Sequence, residues 1–178
     1  AFFPSREYCF FNITSSHDYE GERLRVLTAL SGVSAEVDVP KIICTTPEAV
    51  LQITMSRERL RELSITVSYD TPVSTEALSL RLIEAGYKRV DLVEGIGQFA
   101  LRGGIVDIFA PGANPIRIEL FGDEIDRMGY FSAETQRFLE FAPDSVVIPP
   151  VRELIITDEI RDELSVLIRK HMKKLGKT

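Results

Sequence analysis

From Arg89 to Phe141 apolar and polar residues alternate in short runs separated by turn-forming residues. Successive strand side chains point to opposite faces, so runs of this kind predict half-buried β-strands. The candidates are "RVDLV", "QFALR", "GIVDIFA", "PIRIELF", "EIDRMGYF" and "RFLEF". Their connectors, "GG", "PGAN", "GDE" and "SAETQ", are short and turn-like, which predicts antiparallel neighbours joined by hairpins. Just upstream, "SITVSY" has the β-branched content of a strand, and "STEALSLRLIEAG" is an amphipathic helix stopped at Gly86. One helix packed on a twisted antiparallel sheet is the economical arrangement for this region.

The flanks have a different texture. In "DYEGERLRVLTALSG" Leu24, Leu27 and Leu30 recur at helical spacing, with Asp18 as the start signal and Gly32 as the stop. Lys41 to Thr45 is a short apolar run suited to a buried strand, and Thr46, Pro47 and Glu48 supply a cap, a first-turn proline and a first-turn acid. "RERLREL" adds another turn or two of helix. Strand followed by helix predicts an α/β layer. After "VIPP", "DEIRDELSVLIRKHMKKL" places acids in its first turn and lysines in its last, matching the helix macrodipole. The fold class expected is α/β with α+β character.

Composition narrows the function. At 178 residues, 44% hydrophobic and 27% charged, the chain suits a soluble globular protein, and no apolar run approaches the roughly 20 residues of a membrane span. A cytoplasmic location is the default, with no membrane partner. The net charge of −6 argues against general nucleic-acid affinity, which needs clustered Lys and Arg. Cys9 and Cys44 sit in apolar surroundings and are expected as buried free thiols. The chain opens without Met and stops just after a helical pattern, as a piece of a longer protein would.

Catalytic chemistry finds little support. Gly95, Gly97, Gly103 and Gly104 lack the Gly-Lys-Ser/Thr sequel and the strand-to-helix context of a phosphate loop, and twisted hairpins explain them better. Asp123, Glu124 and Asp126 form a charged turn without the further ligands a metal would need. His17 and His171 have no Ser, Cys or acid arranged beside them for nucleophilic catalysis. No cofactor, metal or catalytic residue is expected.

One face stands out. In "PIRIELF" alternation sends Ile116, Ile118 and Leu120 one way and Arg117, Glu119 and Phe121 the other. In "GQFALRGG" it groups Gln98, Ala100 and Arg102, so Arg102 joins Arg117 if the two strands share a sheet. A ring beside guanidiniums is the composition of a protein–protein hot spot. Equally open on this pattern, Phe121 is covered by another part of the chain while Arg117 and Glu119 merely pair across a solvated sheet. On the first reading, truncating Phe121 or reversing the charge of Arg117 weakens binding and leaves folding intact.

The stretch from Gly86 to Glu140, above all "GQFALRGGIVDIF" and "IRIELFGDEID", resembles the N-terminal module of the bacterial transcription-repair coupling factors. That module is shared with the excision-repair helicase UvrB. "FFPSREY", "ERLRVLTAL" and "TTPEAVLQ" are similar to the coupling factors as well, so the resemblance spans nearly the whole chain. UvrB-like chains read more like FRVRGD where this one has "FALRGG", and UvrB's nucleotide loop and aromatic DNA-clamping hairpin are missing. A UvrB fragment is therefore the second choice.

The resemblance implies a non-catalytic recruitment module. Residues 67–150 would be the UvrA-binding domain, inserted into a degenerate RecA-like lobe represented by residues 1–66 and 151–178. UvrA is the implied partner, bound through positions that match Arg102, Arg117 and Phe121, with Glu119 on the same face. RNA polymerase and DNA are implied as partners of other domains of the parent translocase, and the fragment is expected to be monomeric. A third reading, direct nucleic-acid binding, would use Arg81, Lys88, Arg89 and Arg102.

Overall fold

The computed structural model describes residues 1–6, 18–33, 40–155 and 158–174. In the N-terminal part, β1 (Phe2–Phe3) pairs in parallel with β2 (Cys44–Thr45), in register Phe2 with Cys44 and Phe3 with Thr45. Helix α1 (Asp18–Ser31) packs on β1 and on α3 (Arg57–Leu63), and it stops at Gly32, whose φ of 64° lies in the left-handed region. Between them, α2 (Pro47–Leu51) starts as its sequence predicts: Thr46 is the cap, and its hydroxyl accepts from the Ala49 N–H at 3.3 Å.

Two expectations fail here, both at the Lys41–Thr45 run, and α1 buries a face that only partly matches its leucine spacing. The inward side of α1 carries Arg23, Leu24, Val26 and Ala29, while Leu27 is half-buried and Leu30 is exposed. Burial of Arg23 explains the rotation: its guanidinium pairs with Glu153, donates from Nη1 to the Pro4 carbonyl at 2.6 Å, and stacks 4.2 Å from the Phe3 ring centroid. The Lys41–Thr45 run does contain a strand, but an exposed one, and Cys44 is a free, exposed thiol rather than a buried one. Among the described residues β2 has a single strand neighbour and no second layer over Ile42 and Cys44. Cys9 and His17 lie outside the described residues.

The second part begins with β3 (Ile65–Ser68) and α4 (Thr75–Glu84), capped by Ser74. A six-stranded sheet follows: β4 (Lys88–Arg89), β5 (Gln98–Arg102), β6 (Ile105–Ile108), β7 (Ile116–Phe121), β8 (Glu124–Phe131) and β9 (Phe138–Phe141), in that spatial order. Strands β5 to β9 are antiparallel neighbours, as the short connectors predict. On one face, Leu78 and Leu82 of α4 and Ala85 at its C-terminal cap cover Phe99, Val106, Ile108, Ile116, Ile118 and Met128. The spacing of these three residues puts them on one stripe, so burial of the helix and of the sheet is the same event.

"RVDLV" is not the strand expected. Only Lys88 and Arg89 pair, and they pair in parallel with Gln98 and Phe99. Val93 instead turns inward to join Ala100 and Phe131 in a small second core on the other side of the sheet, which bends the chain at Asp91 and Leu92. A further strand, β10 (Ser145–Ile148), is absent from the sequence prediction. It pairs antiparallel with β3, Ser145 with Ser68 through Ile148 with Ile65, and so closes the ends of the module on each other. The Tyr87 hydroxyl adds a tie by donating to the Pro149 carbonyl at 2.7 Å, and its burial pushes the phenol's pKa upward. Helix α5 (Asp158–Lys174) ends the described chain with basic residues in its last turn.

Candidate protein-docking face

The sheet face away from α4 is organised by register. One cross-strand row runs Ala100, Asp107, Arg117, Gly129, and the next runs Arg102, Ile105, Glu119, Arg127. Between Glu119 and Leu120 the partner on β8 jumps from Arg127 to Ile125, so Asp126 is an extra residue on β8. The bulge lies on β8, and alternation along β7 continues without interruption. Ile116, Ile118 and Leu120 therefore pack on the main core, while Phe121 points away and is 84% exposed. No described part of the chain covers it.

This face is not uniformly wet. Ala100 is buried beneath Val93 and Phe131, so it does not share an open surface with Arg102 as alternation suggested. The strand's inner end is roofed, and only its outer end, at Arg102, is open.

Asp107 organises the open part. Its side chain is 1% exposed, yet it accepts from both arginines of the expected site. Arg117 donates from Nε to Oδ1 at 2.6 Å and from Nη2 to Oδ2 at 2.9 Å, and Arg102 donates from Nη2 to the same Oδ2 at 2.5 Å. The paired, bidentate geometry is the strong form of the guanidinium–carboxylate bond. It holds the pKa of Arg117 above its ordinary value, with smaller help from the nearby charges of Asp107 and Glu119. The Arg117 guanidinium also lies 4.8 Å from the Phe131 ring centroid, a cation–π contact. Arg102 keeps 46% of its side chain exposed.

Glu119 does not pair with Arg117, as the bland reading of the strand would have it; it accepts from Arg127 across the ladder. That bond raises the Arg127 pKa. Arg127 in turn lies 5.8 Å from the Phe138 ring centroid. Phe138 can reach across because the neighbouring position is Gly129, where a Cβ would come within 2.4 Å of the ring. The sequence-predicted residues are thus brought onto one face: Arg102 and Arg117 are joined through Asp107, Glu119 is tied to Arg127, and Phe121 continues β7 one step beyond.

Asp107 and Arg127 were not singled out from sequence. The signal for Asp107 was present in "GIVDIFA", where an acid stands between two residues that face the core, but its partner emerges only with the register set by the "PGAN" hairpin. The four cations of the nucleic-acid reading do not form one patch. Arg81 donates to the Ser64 carbonyl at 2.9 Å on the helical side, Lys88 and Arg89 flank the start of β5, and Arg102 ends it.

The family model of the UvrB interaction domain matches residues 65–154, about half of the chain. The chain belongs to that family. The matched span runs from the first residue of β3 past the end of β10, so the UvrB interaction domain here contains the closing strand pair, α4, the six-stranded sheet and every residue of the face just described. Over a longer stretch the chain is similar to proteins named transcription-repair-coupling factor. It is 36% identical to the Mycobacterium bovis protein over 159 residues, 86% of this chain and 13% of that protein. It is 34% identical to one from Staphylococcus aureus over 170 residues, 93% of this chain and 14% of that protein. To the Bacillus subtilis protein it is 32% identical over 146 residues, 82% of this chain and 12% of that protein. The chain spans about an eighth of the length of these curated relatives.

Proposed function

We propose that this chain is the recruitment module of a transcription-repair coupling factor and that its open sheet face docks onto UvrA, bringing excision repair to stalled RNA polymerase. The observation that carries the reading is Phe121, 84% exposed on the same face as two guanidiniums anchored by one buried carboxylate. A ring left in water at a strand end, beside fixed cations, suits a surface whose apolar and charged parts are covered together by a partner. On this reading Arg102, Arg117, Phe121 and Glu119 are the contact residues. The module itself does no chemistry; DNA translocation and polymerase contact belong to other domains of a cytoplasmic parent. Residues 1–66 and 151–178 are parts of the lobe from which the UvrA-binding domain emerges.

The geometry changes which variants test this. Arg117→Glu would set a second carboxylate against the buried Asp107, so it damages the sheet as well as any interface. Phe121→Ala and Arg102→Ala are cleaner, because Phe121 touches no core cluster and Asp107 keeps both Arg117 bonds when Arg102 is truncated. Titration against purified UvrA should show Phe121→Ala binding about thirtyfold more weakly, roughly 2 kcal/mol, with an unchanged unfolding midpoint. Normal binding by both variants would sink the docking reading.

A further inference from the structure

Resting on that docking reading, we propose that Asp107 is the positioning residue of the face: one buried carboxylate, shared by two arginines, fixes both guanidiniums in their docking orientation before any partner arrives. Arginine side chains are long and lose rotamer freedom when an interface immobilises them. Here the loss is taken on folding. Asp107 is the residue between Val106 and Ile108, both core, and its backbone is held in the middle of the sheet between β5 and β7. Its carboxylate has almost no freedom of its own.

Its two oxygens divide the work. Oδ1 takes Arg117 Nε, and Oδ2 takes one N–H from each arginine, so the guanidiniums converge on one point from adjacent strands. Phe131 sits 4.8 Å from Arg117 and limits its remaining freedom. Arg102, with no such roof and about half of its side chain in solvent, keeps its remaining N–H donors available to a docked protein. A purely structural carboxylate would be served by Arg117 alone, which already makes the bidentate pair. The second, half-exposed arginine on the same oxygen is the feature that points outward.

The test uses Asp107→Asn, which keeps the shape of the side chain while removing its charge and turning one acceptor into a donor. Titration against UvrA should give an affinity about tenfold lower than the parent's, and the loss should shrink when the substitution is made in an Arg102→Ala background. Side-chain NMR of the free protein supplies a reading independent of the partner. The Arg117 Nε–Hε resonance should be sharp and slow to exchange in the parent, and fast in Asp107→Asn. If Asp107→Asn fails to fold, the parent spectrum decides: a rapidly exchanging Arg117 Hε overturns the proposal. So does parent-like affinity in a folded Asp107→Asn variant while Phe121→Ala binds weakly, in which case the docking reading stands without it. Parent-like affinity in Phe121→Ala and Arg102→Ala would instead remove the docking reading and this proposal with it.

Discussion

Among the described residues, two buried carboxylates hold arginines, and they do opposite things with them. Glu153 meets Arg23, which is wholly buried and spends its donors on Glu153 and the Pro4 carbonyl. Asp107 meets Arg117 and Arg102, of which the second keeps about half of its side chain in water. In the first cluster every strong donor faces inward, and the product is a pin between β1, α1 and the segment after β10. In the second, the acid is equally dry but its cations reach the surface, and the product is an oriented charged face. Burial of an acid therefore says little about role; the exposure of the groups it holds is what separates a fastening from a display.

The largest effect that would separate the two lies at the pin. Arg23→Ala leaves the Glu153 carboxylate buried without its partner, and breaking such a pair from one side costs about 3–5 kcal/mol. Denaturant unfolding of the variant should show a loss of that order, with affinity for UvrA per folded molecule unaltered. Arg102→Ala, by contrast, should leave the unfolding midpoint close to the parent's. Were Arg102→Ala as damaging as Arg23→Ala, the second cluster would be a fastening too.

Much of this contrast could not be seen in the sequence, for physical reasons. Alternation located β5 to β9 and grouped Arg102, Arg117, Glu119 and Phe121 correctly, because the pleat fixes side-chain direction locally and the bulge happens to fall on β8 rather than β7. Capping by Thr46 and the stops at Gly32 and Gly86 were equally local. Pairing was not. The acid between Val106 and Ile108 acquires its meaning from Arg117 ten residues away and from Arg102 on a third strand. The strand β10 was overlooked because "SVVI" shows no alternation and its partner, β3, is about eighty positions earlier. The leucine spacing located α1 but does not show which side of it is buried, because Arg23 turns inward toward Glu153, 130 residues along the chain.

Lysine sharpens the comparison at intermediate cost. Arg23 uses three nitrogens on two separated acceptors, a pattern a single ammonium cannot reproduce. Arg23→Lys should therefore lower stability by about 1–3 kcal/mol, the cost of a buried acceptor left unsatisfied. Arg102 makes one contact to Oδ2, which a lysine can supply. Thermal melts should place Arg102→Lys beside the parent and Arg23→Lys well below it, while UvrA titration shows a loss for Arg102→Lys, whose remaining planar donors are gone. If the two melts moved together, the count of donors would not be what distinguishes the clusters.

The Glu119–Arg127 pair is the wet end of the series, and its variant should have the smallest effect. Both side chains lie on the open face and are partly solvated, and ion pairs in that setting gain little because water competes for each charge. Arg127→Gln should leave the unfolding midpoint indistinguishable from the parent's in melts at low and at physiological salt. In binding it frees Glu119, which shares Arg102's cross-strand row and precedes Phe121 on the same face of β7, so the change in UvrA affinity tells whether Glu119 is itself a contact. A change of about fivefold or less is what a peripheral contact gives. A loss as deep as that of Phe121→Ala would mean that the working face extends across β8, and that the pairing of Glu119 with Arg127 belongs to the display rather than to its rim.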